Sequence, residues 1–126
     1  MVGFANAADT DWTSAANRRW IAEALASPPS IEVPVLDRVE QIDAVVARAT
    51  ASSWRAVPAD ERRQVLLCVA DVMERERGRT LSTMAHEAAK TIAEGDPEVS
   101  EAVDFARYYA ASISTITAAE ARGATF

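Results

Sequence analysis

The chain has 126 residues, 49% of them hydrophobic and 25% charged, with a formal net charge of −6 and an isoelectric point of about 4.8. These values fit one globular domain with a modest core, and the acidic charge disfavours binding to nucleic acid. One cysteine excludes an internal disulfide, no apolar run approaches the ~20 residues of a membrane span, and no secretory signal is present. We therefore expect a cytoplasmic protein without a membrane span.

The N-terminal part of the chain is predicted to be largely irregular. Residues 1–13 form an arm without periodicity, after which Thr13 or Ser14 can cap a short helix. The stretch "SPPSIEVPV" then ends that helix, because its three prolines lack the backbone donors that a helix needs. Room remains for one edge strand around residues 31–35. Residues 1–35 are thus predicted to comprise an arm, a short helix and a proline-rich connector.

Two amphipathic helices are predicted to follow. Asp37 and Glu40 have the spacing of a capping box, and the apolar residues after them recur at helical intervals, which predicts a helix over residues 37–54. Pro58 can occupy the first position of the next helix, whose first turn is acidic. That helix is expected to bury an apolar stripe and to expose most of its arginines. The stripe comprises Val65, Leu66, Val69, Val72 and Met73, and the arginines are Arg62, Arg63, Arg75 and Arg77.

Two further helices complete the predicted fold. Thr80 can cap a helix over residues 81–93, and "GDPEV" predicts a last helix with Asp96 as N-cap and Pro97 in the first position, continuing to about Ile116. The protein is therefore expected to be mainly α, with four main helices plus a short N-terminal one and almost no strand. From the residues alone, this pattern is typical of a bundle of antiparallel helices.

Cysteine and histidine occur once each, and neither has the partners that catalysis requires. Cys68 lies in the apolar run "QVLLCVAD", with nothing nearby to stabilise a thiolate, so we expect a buried structural residue. His86 cannot form a catalytic triad or a zinc site by itself. No glycine-rich phosphate-binding motif is present. The residues predict no catalytic side chain, no metal site and no cofactor bound by this segment.

Several weak motifs, in a fixed order, resemble the N-terminal helical stretch of the aldehyde dehydrogenase superfamily. They are Trp54 at the end of a helix, the Pro–acid–Arg start at Pro58, the "EAAK" element at Glu87–Lys90, and the aromatic pair in "DFARYYA". "EVSEAVDFARYYA", with "DTDWTSAANRRW" upstream, is similar to the L-glutamate γ-semialdehyde dehydrogenases, also called 1-pyrroline-5-carboxylate dehydrogenases. The likeness is strongest to the dehydrogenase half of bacterial bifunctional proline utilisation A.

This resemblance implies a fragment of the α/β aldehyde dehydrogenase fold. Residues 36–120 would be a helical segment of that domain, and residues 121–126 a tail leading to a strand that the sequence does not contain. The family's nucleophilic cysteine, its NAD site and its general base lie downstream of such a segment. The complete enzyme would oxidise glutamate semialdehyde in proline catabolism, and this segment alone would be inactive. Its partners would be the remainder of the dehydrogenase domain and, if the complete enzyme is bifunctional, an upstream proline dehydrogenase half with FAD; the sequence leaves that second partner open.

A different class of function stays open at this point. The chain could be a stand-alone helical interaction module without catalysis, whose apolar faces are satisfied within itself or by a partner.

One substrate-binding position falls inside the segment. In the superfamily, the residue six places before the arginine of the "RYYA" element lines the aldehyde tunnel. Counting back from Arg107 gives Glu101. The resemblance implies that glutamate is typical of the semialdehyde group here, where a carboxylate suits a substrate with an ammonium group. The other acids of this helix are expected to be solvated, with Asp104 able to pair with Arg107.

Ala89 is a departure from the family, which usually has glycine before the lysine of the "EAAK" element. A left-handed backbone would strain alanine there, whereas a helical backbone would favour it.

Overall fold

Five α-helices make up most of the described chain. In this computed structural model the structure describes residues 5–30 and 32–120, and of residues 114–120 the backbone alone. The elements are α1 (Ala15–Ala26), α2 (Val39–Thr50), a 3-10 helix (Ser53–Ala56), α3 (Ala59–Arg75), α4 (Arg77–Ala88) and α5 (Ile92–Glu120). The predicted mainly α class, with five helices, is confirmed. Within these ranges there is no strand, and no helix is long and apolar enough to cross a membrane.

Three predictions concern the connector and the tail: an edge strand around residues 31–35, a tail at residues 121–126, and a division of the chain at residue 35. Residues 32–35 are irregular, so the part of the expected edge strand that can be checked is wrong. Ile31 and the tail at 121–126 lie outside the described residues. The division of the chain at residue 35 stays a prediction.

α5 is the helix against which α3 and α4 both pack. It packs against α3 and α4, and α4 also contacts α1 and α3, whereas α2 contacts no other described helix. One apolar cluster joins α1, α4 and α5 through Ile21, Leu81 and Val99. A second joins α3 to α5 through Ala70, Val103 and Ala106. Both clusters are small, so other contacts must add to the stability of this arrangement.

The start of α5 differs from the prediction. The helix begins at Ile92 and passes through Pro97, because Thr91 and Glu94 form a capping box. Glu94 Oε2 accepts hydrogen bonds from the Thr91 backbone N–H at 3.0 Å and from its Oγ1 at 2.8 Å, and these bonds lower the pKa of Glu94. Pro97 removes only the bond that the carbonyl of Ala93 would accept. Asp96 is therefore inside the helix and is not its N-cap.

A buried ion pair joins α4 to α5. Arg77 Nη1 donates to Asp96 Oδ1 at 2.7 Å, and the two residues are 7% and 1% exposed. Asp96 also accepts from the backbone N–H of Thr10 at 2.7 Å and from its Oγ1 at 2.8 Å. Thr10 belongs to residues 5–13, the described part of the N-terminal arm, which we call the arm. The prediction that Arg77 lies outside the packed face is thus wrong, because α4 begins at this residue and directs it towards Asp96.

α3 packs with a different face from the one predicted. Ala70 is fully buried against α5, while Val65, Val69, Val72 and Met73 are at least 37% exposed and Leu66 is half-buried. Small residues at the contact bring the two helices close together, and most of the larger apolar residues then face away. Cys68 is exposed as well, so the expectation that it packs as a core residue is wrong.

α2 forms within the predicted range of residues 37–54, but it ends at Thr50 and remains apart from the other described helices. The Arg38 backbone N–H donates to Gln41 Oε1 at 3.1 Å, so the cap lies one residue later than the predicted pair of Asp37 and Glu40. Its apolar residues are exposed. They are Val39, Ile42, Val45 and Val46. α2 and α3 thus both present apolar stripes whose side chains, Leu66 excepted, stay at least 37% exposed among the described residues.

α4 ends in a strained backbone conformation. Ala89, the residue after α4, has φ 54° and ψ 27°, and its N–H donates to the carbonyl of Met84. Left-handed geometry costs a residue with a Cβ about 1–2 kcal/mol, which glycine avoids. Of the two backbone conformations considered for Ala89 from the sequence, the left-handed, strained one is observed.

Replacing Ala89 with glycine should raise the free energy of unfolding by about 1 kcal/mol, because the strain in the folded state exceeds the added entropy of the unfolded chain. Urea unfolding of the 126-residue chain measures this difference. Ala88→Gly is the control, since Ala88 is still helical, and it should destabilise by about 0.5–1 kcal/mol. Equal destabilisation by both variants would contradict the left-handed assignment.

Removing either member of the buried ion pair should cost about 3–5 kcal/mol, because the remaining charge is left unpaired out of water. The Arg77→Met/Asp96→Ala double variant should be no less stable than either single variant. A double-mutant cycle from urea unfolding measures this coupling. The exposed Arg75–Glu76 pair, at 3.4 Å, is the control and should show about 0–1 kcal/mol. Additive losses at Arg77 and Asp96 would contradict the pairing.

Candidate functional site

Glu101 lies on the wall of an open groove between α5 and the arm. The groove has a volume of about 410 Å³. Its helical wall includes Glu98, Glu101 and Asp104, and its other wall includes Asn6 and Asp9 of the arm. Glu101 itself is exposed. The groove therefore presents a carboxylate to solvent on a rigid helix.

Three α5 residues, each four positions after the last, hold the arm along this groove. The contacts of Asp96 with Thr10 come first. One turn later the Ser100 hydroxyl donates to the carbonyl oxygen of Ala8 at 3.4 Å and accepts from Arg77 Nη1 at 3.1 Å. One turn further, Asp104 Oδ1 accepts from the backbone N–H of Ala7 at 2.6 Å. The arm thus binds α5 through its main chain and through the hydroxyl of Thr10.

Glu101 is the acid in this part of α5 that no described residue engages. Glu94 is bonded to Thr91, Asp96 to Arg77, Glu98 to Lys90, and Asp104 to Ala7. No hydrogen bond or ion pair joins Glu101 to any residue that the structure describes. The expected pairing of Asp104 with Arg107 is wrong, since Arg107 crosses to α3 and pairs with Glu74 at 2.6 Å. Among the described residues, nothing occupies the carboxylate of Glu101.

The charge of the groove is negative. Carboxylates of Asp9, Glu98, Glu101 and Asp104 line it, and Lys90 is paired with Glu98. Such a surface favours a cationic group on a small molecule over an anionic one. Among the described side chains, no three His, Cys, Asp or Glu residues are placed to hold a metal ion.

Cys68 and His86 do not form a reactive pair in the described structure. Cys68 is on the exposed side of α3, and no described residue hydrogen-bonds to it. His86 is in the last turn of α4, with Nδ1 at 2.7 Å from the carbonyl oxygen of Ser82. A nucleophilic thiol needs an adjacent base or cation, which neither helix supplies.

The described residues do not fit a dinucleotide cofactor. Rossmann-type sites place a glycine-rich turn between a strand and a helix, where the pyrophosphate meets the helix N-terminus. Gly78 and Gly95 lie instead inside helices, where an added Cβ would come within 2.8 Å of Trp20 and 3.0 Å of Leu81. Both glycines allow helices to pack closely, and neither approaches a phosphate site.

Comparison with known proteins shows to which family this arrangement of helices belongs. Residues 22–125 match the aldehyde dehydrogenase family, which is most of the chain. The chain belongs to the aldehyde dehydrogenase family. Its match to a solved structure agrees. The crystal structure of proline utilization A from Bdellovibrio bacteriovorus, inactivated by N-propargylglycine, superposes with a TM-score of 0.75 and 26% identity, over 90% of this chain and 15% of that one.

Relatives with named activities are similar over shorter stretches. 1-Pyrroline-5-carboxylate dehydrogenase 1 of Halalkalibacterium halodurans is 36% identical over 58 residues, which are 46% of this chain and 11% of the relative. The non-phosphorylating aspartate-semialdehyde dehydrogenase of Halomonas elongata is 34% identical over 108 residues, or 81% of this chain and 21% of the relative. This aldehyde dehydrogenase chain spans at most about a fifth of the length of these relatives.

The arm is the part of the site that the sequence did not predict. Asp9 lines the groove opposite α5, and the hydrogen bond from Ala7 to Asp104 joins positions 97 residues apart. No local sequence pattern signals such contacts. The capping box is different, because "TIAE" at residues 91–94 has the spacing of that motif. That signal competes with the Asp96–Pro97 pair, which begins two residues after Glu94.

Proposed function

We propose that this chain is the helical segment of a semialdehyde dehydrogenase in which Glu101 lines the path of the substrate. The substrate is L-glutamate γ-semialdehyde, oxidised to glutamate in proline catabolism. The carboxylate of Glu101 accepts hydrogen bonds from the α-ammonium group of this substrate, or from the iminium of its cyclic form.

The exposed carboxylate on the groove wall carries this proposal. Every neighbouring acid of this part of α5 is engaged by a described residue, whereas no described residue engages Glu101. A charge-assisted hydrogen bond between carboxylate and ammonium is about twice as strong as a neutral one. Relatives named for 1-pyrroline-5-carboxylate and for aspartate semialdehyde support an amino-acid semialdehyde, since both substrates carry a cationic nitrogen.

Other parts of the complete enzyme supply the chemistry. In the proposal, NAD accepts the electrons, and the nucleophile, the general base and the cofactor site belong to the rest of the dehydrogenase domain. The apolar stripes of α2 and α3 pack against that domain. A proline dehydrogenase half with FAD is the further partner that the resemblance to bifunctional enzymes implies. These 126 residues by themselves have no dehydrogenase activity.

A stand-alone helical interaction module is the second candidate, and one observation favours it. The exposed apolar residues of α2 and α3 could bind an unrelated helical partner. The family match and the groove at Glu101 weigh towards the dehydrogenase.

The role of Glu101 can be tested in a hybrid enzyme. Residues 5–120 of this chain replace the matching segment of the Bdellovibrio bacteriovorus enzyme, and kcat/KM is measured for glutamate semialdehyde and for propanal. Glu101→Gln should lower kcat/KM for the semialdehyde about tenfold or more, because a bond to a charged group is lost, and should change propanal oxidation less than about twofold.

Glu98→Gln is the matched control. It removes a carboxylate from the same groove, but one that Lys90 already engages, and should leave the ratio of the two substrates nearly unchanged. Loss of both activities to the same extent in Glu101→Gln would overturn the substrate role.

A further inference from the structure

The groove at Glu101 depends on the arm as much as on α5. Asn6, Ala7 and Asp9 form one wall, and residues of α5 form the other. Removing the arm would leave Glu101 on an open helix surface. The distance between the two walls is therefore set by whatever fixes the arm.

The three α5 residues that fix the arm are not equivalent. Asp96 and Ser100 are buried and also bind Arg77, so they serve the core as well as the arm. Asp104 is half-buried, and the backbone N–H of Ala7 is its partner at 2.6 Å. Ala7 in turn packs against the cluster of Ala70, Val103 and Ala106. Asp104 thus holds the arm where it borders the groove, next to Glu101.

We propose that Asp104 is a positioning residue for substrate selection, acting through the arm. This inference rests on the proposed function of Glu101. The hydrogen bond from Ala7 to Asp104 keeps the arm wall close to the Glu101 carboxylate, so that a cationic substrate is confined between them. Without that bond the arm moves away, and the substrate loses the wall opposite Glu101. Because the position of an acceptor is what matters, an amide oxygen can take the place of the carboxylate.

Substitutions at Asp104 in the hybrid enzyme test this inference. Asp104→Ala should raise KM for glutamate semialdehyde about tenfold, the loss expected for one charge-assisted hydrogen bond, with kcat and the KM for propanal changed less than about twofold. Asp104→Asn should restore KM to within about threefold of the unsubstituted hybrid, since its Oδ1 still accepts from Ala7. Asp43→Ala, an exposed acid on α2, is the control and should change neither KM.

A second variant removes the same bond from the other side. Ala7→Pro deletes the donor N–H and leaves the carboxylate in place, so it should raise KM for the semialdehyde as Asp104→Ala does. The two changes combined should be no worse than either alone. This variant also keeps the test informative if Asp104→Ala does not fold.

Three outcomes would overturn the inference. The first is that Asp104→Asn raises KM for the semialdehyde as much as Asp104→Ala does, because that result would assign the effect to charge and not to position. The second is that Asp104→Ala impairs both substrates equally, and the third is that Ala7→Pro leaves KM for the semialdehyde unchanged. Glu101→Gln separates this failure from that of the proposed function. If Glu101→Gln lowers kcat/KM for the semialdehyde but not for propanal, while the Asp104 and Ala7 variants show no such difference, only the positioning role is wrong.

Discussion

The buried ion pair between Arg77 and Asp96 is the interaction on which the described structure depends. Taking two charges out of water costs several kcal/mol per ion, and the pair is stable only if its remaining donors and acceptors are satisfied. Here the backbone and hydroxyl of Thr10, the hydroxyl of Ser100 and the carbonyl of Ala8 do so. The first residue of α4, the second turn of α5 and the arm are therefore fixed at one point, and the groove at Glu101 begins there.

Small residues determine how the helices pack around that point. Gly78 admits the ring of Trp20, Gly95 admits Leu81, and Ala70 brings α3 onto α5. Close approach through small residues leaves most of the larger apolar side chains of α3, and all those of α2, on the outside. In the proposed function, these exposed stripes are the surface against which the remainder of the dehydrogenase domain packs.

The sequence was sufficient for the helical class, the number of helices and most of α2, although that helix ends at Thr50 and not at Trp54. It was not sufficient for the packed face of α3, because periodicity finds the larger apolar stripe and does not show that Ala70 meets α5. It also misplaced Asp96 and Arg77. Locally, an Asp–Pro pair indicates a helix start and an arginine indicates an exposed position, but here the two residues form a buried pair across 19 positions of sequence. Glu101 was predicted as a substrate-binding residue from its register in a family resemblance, and that role stays a proposal. The positions of its neighbours show in addition that no described residue engages its carboxylate.

The most direct measurement is a crystal structure of the hybrid enzyme with its product, L-glutamate, bound. If Glu101 selects the substrate by its cationic group, the ammonium nitrogen of glutamate will lie about 2.7–2.9 Å from a carboxylate oxygen of Glu101. A bound glutamate whose ammonium contacts other groups, with Glu101 turned to solvent beyond hydrogen-bonding distance, would contradict the substrate role.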